Sequence, residues 1–589
     1  MYSYSFPPPQ TYIPPQQAYY AQYPARNGVN NFNNNQQGAN WTYSFYMPQS
    51  APFAYPYQPQ QQQQMSVQPA PKTPLPQVSS LPPETKPAVT KPEGNNQTVL
   101  WYINDLHGRL DGSKRLVTAA HQFDDQYENK GVDTLKIASG DVAIGSDDAK
   151  NAYMFDLMRL MGIDAKTPGN HEFDMGTDKL AEHLDKIPSN FVVTNLNTDP
   201  SNPLHRHVVN NKILRSAIIE ENGTKYGYLG AIPTNLKERL NADAKETAET
   251  MSVDNLDQTI VELQQEVDKL KAQGVDRIIL SAHMEDDEKK KIAENTSGID
   301  IITGAHTHKV VDGVKEGENF VYNKDGDPVL ITQAGKDGKH YGVAKVTWDD
   351  EGRIIKAENN VYPTKNIPQS ALANHFEIVH MGPAKVLANI TNKVDAISEE
   401  YMAESAISDL ITDAMRAKTG ADVAFSNIGS VRGSVGPGEI TDRQIMELLP
   451  YENELKTFKY SEKDIIDVLK GGVASHVNKA HGPSAIQVSG LRYKIDEDNK
   501  IDDVFIQQKD GTWKEIDEEH PSENTFYTVV YDTYLGGGPK YLEMMNCPEK
   551  MIKAFGVTTT QALIDYLASF NNRTFELKPA GRIEIESKD

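Results

Sequence analysis

From Thr98 onward the chain alternates short aliphatic runs with longer stretches of helical periodicity, and this alternation restricts the fold more than any other feature. TVLWYI, TLKIAS, FVVT, RIILSA and IDIIT are each four to six residues long and rich in aliphatic side chains. Between them, SKRLVTAAHQFDDQ, NAYMFDLMRLMG and LDQTIVELQQEVDKLKAQG repeat apolar residues every three to four positions, the spacing of an amphipathic helix. Runs this short, set between helices, read as strands of a layered α/β domain with function carried in loops at the strand ends. The pattern lasts to about residue 365.

Residues 366–400 hold two helical patterns separated by MGPAK and are expected to bridge to a second α/β domain. There ESAISDLITDAMRAKTG reads as a helix ending at Gly420, ADVAFSN as a strand and DIIDVLKGGVASHV as a further helix, followed by strand-like GLRYKID, DDVFIQQ and NTFYTVVYDTYL. The expected organisation is a tail over 1–95, a first domain over 96–365, a linker over 366–400 and a second domain over 401–589, with no internal repeat. The tail is rich in Pro, Gln, Asn and Tyr and nearly free of Leu, Ile and Val; ten of the 27 tyrosines lie in the first 57 residues. It has too little aliphatic surface to offset the entropy of folding, so disorder is expected. Its QPQQQQQ and NNFNNNQQ tracts and spaced tyrosines suit self-association or surface attachment, with an inert solvated tail as the plainer role.

Charge and cysteine narrow the function. Residues 1–95 contain four basic and two acidic residues, so the remainder carries −25 against −23 for the whole chain. So acidic a body repels phosphate backbones, which excludes nucleic-acid polymers as natural partners but leaves room for a small phosphorylated substrate held by metal ions. The sole cysteine, Cys547, excludes an intrachain disulfide and a thiolate zinc site. No stretch approaches the roughly 20 apolar residues of a membrane span. MYSYSFPPPQTYIPPQ has neither the basic start nor the apolar core of a secretion signal, so a cytoplasmic location is the expectation from residues alone.

Five of the first domain's apolar runs end in metal-ligating residues. TVLWYI is followed by Asn104, Asp105 and His107; TLKIAS by Gly140 and Asp141; the loop TPGNHEFDMG supplies Asn170, His171, Glu172 and Asp174; RIILSA is followed by His283; and IDIITGA by His306 and His308. Alternation would turn Asp105 and His107 to one face, and likewise His306 and His308 if that loop stays extended. Glycines 140, 169 and 304 permit sharp turns there. Taken singly, a D-x-H is more often a loop salt bridge and a Gly-Asp a turn; five such pieces at strand ends are not coincidence. Carboxylate, imidazole and amide without thiolate suit Zn, Mn, Fe(II) or Co. Eight coordination places filled from seven residues point to two ions sharing one carboxylate, and Asp141, alone on its turn, is the natural bridge. Two ions about 4 Å apart would acidify a bridging water and steady an in-line displacement at phosphorus.

These blocks resemble the D-x-H, G-D, G-N-H-E, H and G-H-x-H motifs of the calcineurin-like metallophosphoesterases, with Ala305 where a glycine is usual. NHEFD followed by a second domain is similar to the 5′-nucleotidase branch, which includes UDP-sugar hydrolases and 2′,3′-cyclic phosphodiesterases. SNIGSVRGSVGPGEIT, LLPYENEL, QVSGLRY and YLGGGPKY are similar to that branch's C-terminal domain. The resemblance covers about residues 98–585. It implies a four-layer first domain, two mixed sheets flanked by helices, and a second α/β domain that binds substrate.

It further implies that Asp105, His107, Asp141 and His308 hold one ion and Asp141, Asn170, His283 and His306 the other. A metal-bridging hydroxide would attack a nucleoside 5′-monophosphate, with His171, oriented by Asp174, stabilising the transition state and Glu172 in a supporting role. Asn427, Arg432, Tyr451 and Tyr534 match the substrate positions, the two rings suiting a sandwich around a flat base. Family members also work in the periplasm or at the cell surface. Tyr401 and Met402 stand near where many nucleotidases carry an arginine, Pro539 replaces an aspartate, and Ser430 and Val431 replace a glycine–isoleucine pair. The metal motifs are thus complete and the specificity motifs partial. A cyclic-nucleotide or UDP-sugar diesterase is the alternative substrate reading, a non-catalytic scaffold the alternative class, and nothing in the sequence supports action on sulfur-linked substrates.

Overall fold

The computed structural model describes residues 96–128, 132–187, 190–240, 242–395, 403–451, 453–474, 485–537, 550–570 and 573–586. The tail 1–95 and the departures at Tyr401, Met402 and Pro539 lie outside them.

The first strand, Gln97–Ile103, shows how the first domain is layered. Its odd residues Val99, Trp101 and Ile103 pack with the helices Leu110–Gln126 and Asp148–Met161, through Leu116, Val117, Tyr153 and Met154. Its even residues Leu100 and Tyr102 pack with Tyr226, Tyr228, Ile279 and Ile301 of a second sheet. A strand buried on both faces reads as a continuous apolar run, because successive side chains point to opposite sides. This strand sits mid-sheet, parallel to Asp133–Ala138 and antiparallel to His340–Trp348, with Ile354–Pro363 and Ala165–Lys166 at the edges.

The second sheet is also mixed. Thr224–Ala231, Arg277–His283, Ile301–Ala305 and Pro328–Ala334 run parallel, with Ser216–Glu221 antiparallel outside Thr224–Ala231. Its outer face packs on helices Leu256–Lys271 and Asp286–Asn295 through Leu263, Val267, Leu270 and Ile292. The layers are helix, sheet, sheet, helix.

Of the runs read as strands, FVVT is the exception in this arrangement. Phe191–Val192 pairs only with Ile213–Leu214, outside both large sheets.

The second domain holds a five-stranded sheet, in the order Gln487–Ser489, Val423–Ser426, Phe526–Asp532, Glu454–Ser461, Met551–Thr558, and a four-stranded sheet centred on Ile501–Gln507 and Leu491–Ile495. The helix Ala406–Thr419 ends as expected at Gly420, whose φ of 73° supplies the left-handed cap.

One expectation fails in the bridge. Ala371–Met381 is helical, but the second piece, after MGPAK, is the strand Val386–Ile390. It pairs antiparallel with Gly438–Thr441 and parallel with Thr574–Phe575. Two remote strands satisfy its backbone, and tertiary pairing overrides a short and ambiguous apolar spacing.

Candidate metal centre

Three of the strands that carry the motifs end side by side. Asp133–Ala138, Arg277–His283 and Ile301–Ala305 finish at a knot of hydroxyls: Ser139 Oγ lies 2.8 Å from Ser281 Oγ and 2.9 Å from Thr303 Oγ1, and those two are 2.8 Å apart. This knot bonds the two sheets directly beneath the loops that follow.

Those loops are not extended. Asp105, His107, Asp141, His306 and His308 have φ of 52°, 50°, 51°, 78° and 59°. The expected alternation of Asp105 with His107, and of His306 with His308, is therefore replaced by left-handed turns. Asp105 N donates to Gly140 O and His107 N to Asp141 O, and these bonds draw the chain into conformations that cost non-glycine residues on the order of 1–3 kcal/mol each. Five of the seven expected ligands share this strain, which no sequence motif displays. Of the three glycines, Gly140 alone has positive φ, at +90°. Gly169 is required for space, since a Cβ there would lie 2.2 Å from Asp141 Oδ1.

Six of the seven expected ligands converge, and Asn170 lies in the adjoining loop. Asp141 Oδ2 lies 3.1 Å from His283 Nε2, 3.6 Å from His107 Nε2 and 4.0 Å from His171 Nε2. Asp105 Oδ1 lies 3.8 Å from His283 Nε2 and 3.7 Å from His308 Nε2. Asp105 with His107 and His308, and Asp141 with His283 and His306, form groups whose donor atoms lie within 4.8 Å of one another. Asn170 adjoins His171, whose backbone N donates to Asp141 Oδ1 at 2.8 Å.

The donor set fits divalent cations. Donors bound to one ion at about 2.1 Å stand roughly 3.0–3.5 Å apart, close to the spacings found. His283 Nδ1 is engaged by Ser139 O at 2.9 Å, which leaves Nε2 for an ion, and the buried Asn170 Oδ1 has no hydrogen-bond partner. Buried polar atoms are seldom left so. Burial, with His283 and His107 as neighbours respectively, pushes His306 and His308 down to about 3, so both rings are neutral and ready to ligate. Against burial, His283 and His171 hold the Asp141 carboxyl well below its usual range.

The supporting groups are built as carefully as the ligands. Glu172 is buried, and its carboxylate accepts four backbone N–H groups: Asp141 and Gly169 at Oε2, Val142 and Ala143 at Oε1, at 2.6–2.9 Å. It clamps two ligand-bearing loops together. Asn104 bonds Asp105 Oδ2 and Gly335 O, each at 2.6 Å. Lys289, fully buried, reaches Gln333 Oε1 at 2.8 Å, Asp286 Oδ1 at 2.7 Å and Ala305 O at 3.2 Å, bracing the turn that presents His306 and His308. The sequence reading missed Lys289 and the hydroxyl knot, because each draws its partners from elements distant in the chain. Asn104, beside Asp105, and Glu172, beside His171, carried a sequence signal because they stand within the motifs.

His171 stands beside this cluster. Its Nδ1 is 2.6 Å from Asp174 Oδ2, which also accepts Gly145 N at 2.9 Å. Burial opposes the imidazolium, but Asp174 and Asp141 hold its pKa well above the ordinary value.

Comparison with known proteins agrees with this geometry. Residues 98–310 match the calcineurin-like phosphoesterase family and residues 384–546 the 5′-nucleotidase C-terminal domain. The chain belongs to the calcineurin-like phosphoesterases with a 5′-nucleotidase C-terminal domain. It is a metal-dependent phosphoester hydrolase. A trifunctional nucleotide phosphoesterase of Bacillus subtilis is 24% identical over 74% of this chain, which spans only 31% of that protein's length. A probable 5′-nucleotidase of Treponema pallidum is 24% identical over 76% of this chain and 87% of its own. A solved 5′-nucleotidase precursor from Thermus thermophilus shares the fold, with a TM-score of 0.62 at 23% identity over 84% of this chain and all of its own.

In this phosphoesterase the second domain reaches the metal loops. Glu447 Oε1 accepts Leu110 N at 2.9 Å, at the start of a helix that has no side-chain cap of its own. Arg109 Nη1 donates to Glu447 O at 2.9 Å. A Cβ at Gly145 would fall 1.8 Å from Pro450 O, so the two backbones touch there. Next to Pro450, Tyr451 lies near His171.

Arg432 sits 5.8 Å from the centre of the Tyr451 ring, with Nη2 3.4 Å from its hydroxyl. Two of the expected substrate residues are thus paired. Asn427 is buried and accepts Ser430 Oγ at both its backbone O and Oδ1, 2.8 and 2.9 Å, so the serine that departs from the family's glycine fastens its own turn. Tyr534 is exposed. No helix of the described residues is long and apolar enough to cross a membrane.

Proposed function

We propose that this phosphoesterase hydrolyses nucleoside 5′-monophosphates to nucleoside and inorganic phosphate. Asp105, His107, Asp141 and His308 would hold one divalent cation, and Asp141, Asn170, His283 and His306 the second, with Zn, Mn, Fe or Co all suited to these donors. Bound there, the pair supplies positive charge to phosphoryl oxygens and lowers the pKa of water. The chain's own groups orient and neutralise. Asp174 accepts the Nδ1 proton of His171, so Nε2–H faces the pocket as a charged donor to a phosphoryl oxygen whose negative charge grows in the transition state. Asp141 Oδ1, by taking the backbone N–H of His171, keeps that donor in register with the ligands. Arg432 and Tyr451 offer a cation and an aromatic face for the nucleoside end of the substrate.

The observation that carries this reading is the Asp141 carboxylate, ringed by three imidazole nitrogens within 4.0 Å, with His171–Asp174 at its border. The test is phosphate release by the metal-reconstituted full chain from AMP, 2′,3′-cyclic AMP and UDP-glucose, with His171→Ala alongside. AMP should be the preferred substrate, and the variant should lose about 10²–10³-fold in kcat. Preference for the cyclic or sugar diester would overturn the monoester assignment. Two bound ions with no hydrolysis of any ester would instead favour a non-catalytic scaffold.

A further inference from the structure

Each of the three imidazoles nearest Asp141 has its Nδ1 engaged by an oxygen. His283 uses Ser139 O and His171 uses Asp174, both supplied by neighbouring motif loops. His107 is different. Its Nδ1 faces Asp337 Oδ1 at 3.2 Å, while its Nε2 is turned to Asp141. Asp337 comes from the GKDGKHYG turn, 230 residues away and outside the five motif loops.

That turn is fastened to the ligand loop at several points. Asp337 N donates to Asp105 O at 2.7 Å. Its backbone carbonyl lies 2.7 Å from where a Cβ on Gly112 would stand, so the turn is packed hard on the helix that follows His107. Asp337 itself takes φ of 61°, the same strained region as the ligands it adjoins. The carboxylate is also 3.8 Å from Arg109 Nε and 3.1 Å from Lys339 Nζ. The other end of Arg109 donates to Glu447 O of the second domain.

We propose that Asp337 is a positioning residue for the metal centre: it accepts the Nδ1 proton of His107, selects the tautomer that leaves Nε2 free to ligate, and through Arg109 and Glu447 links that ring to the seating of the second domain. The proposal rests on the reading of His107 as a ligand. A carboxylate behind a ligating imidazole fixes the ring's orientation and raises its basicity, and loss of such a partner lowers metal affinity about 10–100-fold. Glu447 sits at the helix start directly after His107, so the path from second domain to ligand runs through Arg109 and Asp337 without a gap wider than 3.8 Å.

The test is calorimetric titration of the chelator-stripped full chain with Mn²⁺ alone, for wild type, Asp337→Asn, Asp337→Glu and Arg109→Gln. Asp337→Asn, isosteric but with half its acceptor capacity, should weaken one of the two binding steps about 10–100-fold and spare the other. Asp337→Glu should recover much of the loss, and Arg109→Gln should weaken the same step to a lesser extent. Unaltered Mn²⁺ binding by Asp337→Asn overturns the proposal. Should the variants not fold, the wild type decides by ¹⁵N resonances of His107, where protonation at Nε2 rather than Nδ1 has the same consequence. Wild type that binds two ions yet hydrolyses nothing would refute the proposed function and leave this inference standing. Wild-type turnover of AMP with normal ion binding by Asp337→Asn would do the reverse.

Discussion

Replacing Glu172 by glutamine changes one atom and should nevertheless destabilise the centre severely. The carboxylate accepts four N–H groups, two at each oxygen. An amide keeps one acceptor oxygen and presents an NH₂ where the other stood. Whichever way it flips, two backbone N–H groups then face a donor: either Asp141 and Gly169, or Val142 and Ala143. Each buried N–H left without an acceptor costs about 1–3 kcal/mol, which sums to about 2–6 kcal/mol for the pair. Relief from burying a charge offsets part of this, so the lower half of that range is the working expectation.

Such a loss is a large fraction of the roughly 5–15 kcal/mol that holds a domain folded. It also falls on the backbone of the two loops that carry Asp141 and Asn170. Urea unfolding of the metal-free protein, followed by circular dichroism, should show a lower midpoint for Glu172→Gln, and Mn²⁺ titration should show weakened binding. A midpoint equal to wild type with both ions bound normally would refute the reasoning, since it would mean that the four hydrogen bonds do not hold the loops.

Other outcomes follow from the same geometry. Gly169→Ala directs a methyl at Asp141 Oδ1, 2.2 Å away, and should abolish binding of at least one ion by elemental analysis, whereas a full metal complement would contradict the packing. Asp174→Asn should lower kcat about 10²–10³-fold with KM little changed, because it removes the partner that orients and charges His171; a change in KM alone would argue for a substrate-binding role. Tyr451→Ala should raise KM for AMP while Mn²⁺ binding stays normal, and unchanged kinetics would remove Tyr451 from the substrate site. His183, 2% exposed with Nε2 2.9 Å from Asp148 Oδ1, has its pKa held below the ordinary 6.5 chiefly by burial, against the pull of Asp148. The stability it contributes is therefore present above that value and lost as pH falls, when the unfolded chain takes up a proton first. Between about pH 7.5 and 5.5 the urea midpoint of wild type should fall more than that of His183→Gln, and parallel falls would contradict this.

The candidate metal ligands were legible because their chemistry is carried by residue type and by position after an apolar run. Singly, Asp105 or Asp141 has a plainer reading as a salt bridge or a turn; the recurrence of such residues after five apolar runs is what made the set readable. The layered fold was legible for a related reason: short aliphatic runs and stretches of three-to-four spacing are local properties, and TVLWYI reads as a strand without knowledge of its partners. The bridge was misread at Val386–Ile390, where five residues cannot establish a period and two distant strands decide. The substrate side was legible only in part: Arg432 and Tyr451 meet, while Asn427 is taken up by Ser430.

By itself, the order of residues along the chain determined which groups could ligate, that thiolate was not among them, and that strands and helices would alternate to present them. Only the folded structure decided that five of the expected ligands adopt left-handed turns, that Glu172 clamps two loops, that Lys289 braces a third, and that Asp337 stands behind His107. The physical reason is range. Side-chain chemistry and periodicity are written within a few residues, whereas hydrogen bonds and close packing join atoms 30 to 230 residues apart, and their partners exist only once the sheets have been stacked.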